Sequence, residues 1–280
     1  MSNPVFSRME DQWAAQSAAA TQTAQTTHPP VYDQKAFEEA RQSYQGRSAD
    51  AVDTGRMTYD DVIVKTSLNL IVLIAFAAGS WFITAQNLAL ATPLMMGGIL
   101  LGLVAAMVNI FSKTIRPGLI LTYSALEGEG LGALSMVTEM WAPGVVLQAV
   151  VATFAVFGVT LALFASGKVR NSPKMQRFAL ISIIGLIVSR LLIFVLGLLG
   201  APIGGIDGPS ILGFPLSVVL SVFAVFIGAI CLISDFDQVR IGVQRGVPAK
   251  YAWMSAFGMM VTIVWLYIEI LNILSRMQSR

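Results

Sequence analysis

The chain has one cysteine and one histidine in 280 residues, and only 12% of its residues are charged. The lone Cys231, set in an apolar segment, excludes an internal disulfide framework. The lone His28, in a polar N-terminal stretch, argues against a His-ligated zinc site and against a His-centred triad. A net charge of +2 is too small to point to nucleic acid as a partner. There is no GxSxG, no HExxH, no GxGxxG and no phosphate-cradling loop, and the serines of the apolar segments have no histidine to act as base. The expectation is a protein that is not an enzyme and carries no resident cofactor.

What the chain does have is apolar length. Hydrophobic residues make up 55% of it and the mean hydropathy is +0.71, which places it among integral membrane proteins. Seven apolar segments fall at roughly 65–84, 92–111, 118–138, 144–166, 178–199, 212–233 and 252–275. Each is about 20 residues long, the length a helix needs to cross about 30 Å of hydrocarbon. Period-two alternation is absent and the runs are too long for barrel strands, so the fold expected is all-α, with seven transmembrane helices in residues 62–280. Residues 1–61 are polar, hold no apolar core of a secretory signal, and read as a largely disordered cytoplasmic tail.

Lys and Arg set the orientation. The loops after the second, fourth and sixth segments carry Lys113 and Arg116; Lys168, Arg170, Lys174 and Arg177; and Arg240, Arg245 and Lys250. The alternate loops carry none, so the N-terminus is expected in the cytoplasm and the protein in the plasma (inner) membrane, with the lipid bilayer as its first partner. Six spans plus a re-entrant seventh segment is the competing topology, because Arg276 and Arg280 fit an outer C-terminus less well.

A few ionisable residues persist inside the apolar runs, where charge survives only with a partner or a task. Glu269, in VWLYIEILNIL, has eleven residues after it, about 16 Å of helix, which puts it near mid-membrane. Arg190, in LIVSRLLIF, needs a carboxylate or carbonyl, and Glu127, Glu129 and Glu269 are the intramembrane acids available to it. Asp235 and Asp237 close the sixth run in LISDFDQVRIGV. Two residues apart, they point about 200° from each other on a helix, so both converge on one cation only if the helix breaks there. Glu127 and Glu129, in YSALEGEGLGALS, likewise lie on opposite faces, and Glu127 shares a face with Arg116. Gly128 and Gly132 form a small-xxx-small pair suited to close helix packing.

Three stretches give these residues a family context. YSALEGEGLGALS resembles the glycine-rich third span of the Bax inhibitor family; SDFDQVR resembles the signature that ends its sixth span; LYIEILNIL resembles the acidic stretch of its last span. The resemblance covers about residues 65–275. It implies six helices surrounding a central C-terminal helix, and a pH-sensitive calcium leak gated by an acidic pair between the sixth and seventh helices. By position the pair is Asp235 and Glu269, a weak and passing Ca2+ site, with Asp237 as the substitute for Asp235 and Arg116 as the candidate latch. Glu269 stands where relatives carry Asp, and the connection between the two acids is about ten residues longer than the pattern implies. Calcium and protons are then the expected ligands. The rival reading is a non-channel regulatory protein that binds a membrane protease or a stress or cell-death partner; a third is a proton-coupled transporter using Glu269.

Overall fold

The computed structural model describes residues 55–112, 114–199, 210–211 and 214–278. The tail assigned to residues 1–61 therefore lies outside the described residues up to position 54. Its last part is ordered, and the first helix begins inside it.

Seven helices follow in order: α1 (Tyr59–Gln86), α2 (Ala91–Phe111), α3 (Pro117–Trp141), α4 (Val145–Ala165), α5 (Pro173–Leu198), α6 (Leu216–Gln244) and α7 (Tyr251–Gln278). A two-residue antiparallel pair, Ser210–Ile211 with Phe214–Pro215, precedes α6. Six of the helices are long and apolar enough to cross a membrane. The exception is α3, which has the length but carries Glu127, Glu129 and Glu139 and buries ten residues of its own.

Local chemistry sets the helix ends. Thr58 caps α1 in a capping box: its hydroxyl accepts from the Asp61 amide at 3.0 Å, and the Asp61 carboxylate accepts from the Thr58 amide at 3.1 Å. Pro117 and Pro173 open α3 and α5, where a missing N–H costs nothing. The turn into α4 passes through Gly144 at φ +83°, a conformation open to glycine. There the Glu139 carboxylate accepts from the amides of Gly144 (2.6 Å) and Val146 (3.2 Å), holding negative charge at the N-terminus of α4.

Two helices run further than their apolar stretches. α6 continues unbroken through Asp235 and Asp237 to Gln244, because SDFDQVRIGVQ still offers Phe236 and Val239 to the core. The helix break that would let both acids converge is not there. α7 is continuous for 28 residues, about 42 Å, which is long enough to cross a membrane without a break.

Lipid offers helices no hydrophobic drive to associate, so close packing must hold them. α3 meets the backbone of α1 at Gly128, against Leu73, and at Gly132, against Ala77; on its other side Gly130 lies against Gly98 of α2. Gly130 is thus a packing residue as much as its neighbours. Buried polar bonds add specificity: Ser124 donates to Asn69 Oδ1 at 2.8 Å between α3 and α1, and Ser135 and Tyr267 share a 2.6 Å bond between α3 and α7. α7 packs on α1, α3, α4 and α6. At one end, Met57 donates its amide to the Val247 carbonyl, and Lys65 bonds both Asp61 and the Ala249 carbonyl, tying the start of α1 to the α6–α7 turn.

A side chain at Gly132 must push α1 away. Gly132→Val is expected to cost about 1–3 kcal/mol of stability, the range for overpacking. Gly118→Ala, where a Cβ meets only open space, should be close to neutral or better. Thermal unfolding of the two purified variants in detergent checks the contrast.

Candidate functional site

α6 and α7 lie antiparallel, and their register decides which polar groups meet. Ser221 faces Asn272 at one level, and Asp235 faces Gly258 and Thr262 at another. The half-buried Asp235 carboxylate accepts a 2.8 Å bond from the Thr262 hydroxyl and makes no ion pair among the described residues. It lines a cavity of about 320 Å³ together with Gln238, Arg245, Tyr251, Ser255 and Gly258. That cavity extends to the α6–α7 turn, where Arg245, Val247 and Tyr251 line it.

Glu269 sits elsewhere. It is 5% exposed and accepts from Arg190 of α5 at 2.6 Å and from the Trp265 indole, one turn back on α7, at 3.2 Å. The same guanidinium nitrogen of Arg190 also lies 3.2 Å from the Ser221 hydroxyl. Ser221 in turn takes a long 3.4 Å bond from Asn272, and Asn272 accepts from Arg276 at 2.8 Å. One polar chain thus joins α5, α6 and α7 and runs toward the far end of α7.

The two levels are separate. From Thr262 to Glu269 is seven residues of α7, about 10 Å along its axis. Between them Leu266, fully buried, sits directly over Gly228 of α6, where any Cβ would collide with its side chain. Ile227 beside it is also fully buried. A hydroxyl, Thr262, thus stands across from Asp235, and the α7 acid lies two turns deeper.

Several sequence expectations change accordingly. Asp235 does not share a hydrogen-bonded carboxyl pair with Glu269. Asp237, 7% exposed, forms an i,i+3 ion pair with Arg240 at 2.7 Å, within α6. Arg116, at the exposed start of α3, bonds Thr114 and latches no acid among the described residues; Glu269 is held by Arg190. Glu127 is 9% exposed and its side chain lies over Gly102 of α2, while Glu129 is half-buried. Neither glutamate has an ion-pair partner among the described residues, and Glu127 does not meet Arg116. No group of three or more His, Cys, Asp or Glu side chains among the described residues is close enough to hold a metal ion. Thr262 and Trp265, which donate to Asp235 and Glu269, and Ser221, which accepts from Arg190, carry no sequence signal that separates them from ordinary helix residues.

A bundle of long apolar helices that buries a few ionisable side chains defines a multi-pass α-helical membrane protein. The family model described as Bax inhibitor 1 like matches residues 3–279, essentially the whole chain, and the protein belongs to that family. The match also takes in the N-terminal tail, which the sequence motifs leave out. No curated protein matches the chain.

The Arg190–Glu269 pair is expected to behave as a unit. Glu269→Leu leaves a cation without its acceptor and should lower stability by about 1–3 kcal/mol, below the fully buried range because the Arg190 side chain is 40% exposed. Adding Arg190→Leu should recover much of that loss. Unfolding midpoints of the two singles and the double read the coupling directly, and additive losses would contradict it.

Proposed function

We propose that the protein is a pH-sensitive calcium leak of the inner membrane, in which ions approach through the cavity that ends at Asp235. The observation that carries this reading is Asp235 itself: a half-buried carboxylate with no cationic partner among the described residues, bonded only by a hydroxyl, on the wall of a cavity. Calcium takes six to eight oxygens, so one carboxylate with the Thr262 hydroxyl and water makes a weak, transient site. A conduction site needs that weakness, since an ion must leave as readily as it enters. Protons compete for the same oxygens, so calcium occupancy falls as pH falls.

In this reading the N-terminus is cytoplasmic, all seven helices span, and α7 is the central helix. Its contacts with α1, α3, α4 and α6, and its reach to α5 through Arg190, support that placement. The cavity then opens to the cytoplasm, beside Arg245 and Lys250. The apolar layer of Ile227, Leu266 and the Gly228 contact closes the path, as dewetted constrictions do. Beyond it, Arg190 holds Glu269 neutralised.

Calcium uptake by liposomes carrying the full chain tests the reading. Asp235→Asn should lower flux and flatten its pH response. Leu266→Ala should raise resting flux by about tenfold, the effect of removing about 1.4 kcal/mol from a barrier. Deleting residues 1–54, which leaves the Thr58 cap and the buried Met57 in place, should leave the leak intact. Flux no greater than in protein-free vesicles overturns the proposal. A leak lost with the tail would favour the regulatory protein that binds a membrane protease or a stress or cell-death partner.

A further inference from the structure

α1 and α4 face each other across a crevice floored by α7. Two cavities lie along it, of about 460 Å³ and 520 Å³, and they adjoin: both are lined by Leu70, Thr153, Phe154 and Ile263. The first runs from Tyr59 on α1 and Phe164 on α4; the second reaches Phe82 on α1 and Val146 on α4. From Tyr59 to Phe82 is about 34 Å of helix, the depth of a bilayer's hydrocarbon. The walls are almost wholly apolar, and the floor (Met259, Ile263, Tyr267) belongs to α7.

One end of the crevice is charged. The Arg240 guanidinium stacks 5.8 Å over the Phe164 ring that lines the first cavity. Its Nη2 is taken by Asp237, but its buried Nε has no hydrogen-bond acceptor among the described residues. Lys168 and Arg170, both exposed, follow α4 at this same end. The Lys- and Arg-bearing loops gather there, which is the face that anionic leaflet lipids attract.

We infer that the α1–α4 crevice is a binding site for an anionic phospholipid, with an acyl chain lying against Met259 and Ile263 of α7 and the phosphate facing Arg240. An acyl chain matches the slot in depth and polarity, and the Arg240 side chain, 34% exposed, offers a phosphate a cation at the mouth of the crevice. The inference does not depend on ion conduction.

The test uses the full chain in lipid nanodiscs containing photoactivatable phosphatidylglycerol or phosphatidylcholine, followed by peptide mass spectrometry. Labelling is expected to concentrate on Thr153–Phe164 of α4 and Met259–Ile263 of α7, with phosphatidylglycerol favoured about fivefold, the effect of one cation on one anionic lipid. Ile263→Trp, which fills the crevice, should abolish that labelling. Arg240→Gln paired with Asp237→Asn, which neutralises both partners together, should remove the preference for the anionic lipid while chain labelling persists. Unfolding midpoints confirm that each variant is folded. Labelling spread evenly over the exposed faces of α2 and α5, labelling unchanged by Ile263→Trp in the folded variant, an anionic preference that survives the paired substitution, or a second copy cross-linked into the crevice would each overturn the inference.

Discussion

A charge inside hydrocarbon must be met by another group, and in this protein that requirement fixes how α7 sits. Glu269 is buried deep in the bundle and is satisfied only when α5 brings Arg190 to it and α7 turns Trp265 the same way. Those bonds set the rotation of α7, and the helix period then carries the consequences along its length. Thr262, two turns away, meets Asp235 of α6, while Asn272 meets Ser221. Without the arginine, the acid would need another partner or a different helix orientation.

The remaining helices answer a different constraint. α1, α2 and α3 approach one another through glycines at Gly98, Gly128, Gly130 and Gly132, so their backbones lie closer than any side chain would allow. α3 is the least apolar of the seven helices and the one most covered by these contacts, consistent with the three glutamates it carries. The glycine-packed trio meets α7 through buried groups such as the Ser135–Tyr267 bond. Where no such contact is made, between α1 and α4, the bundle leaves its apolar crevice.

The helices are legible in the sequence because each must cover about 30 Å with apolar side chains, and that length is written in the chain. Their ends are less so. α1 starts at Tyr59 and α6 runs on to Gln244 because capping and amphipathic continuation extend a helix past its hydrophobic run. The need for an acid opposite Arg190 is also legible, since a lone guanidinium in a span has few alternatives. Which acid is not legible, because that depends on the antiparallel offset of α6, α5 and α7. The same offset explains why a motif-based pairing of Asp235 with Glu269 does not form: the motifs name the two acids, while the register of α6 on α7 sets them at different levels. Thr262 and Ser221 gain their importance only from what faces them.

The central claim is that the acids of α6 and α7 stand at two levels separated by an apolar layer. Oxidative cross-linking in a Cys231→Ala background measures this most directly, by comparing Asp235→Cys/Thr262→Cys with Asp235→Cys/Glu269→Cys in membranes. The account predicts rapid cross-linking of the first pair and none of the second. Efficient cross-linking between positions 235 and 269 would contradict it.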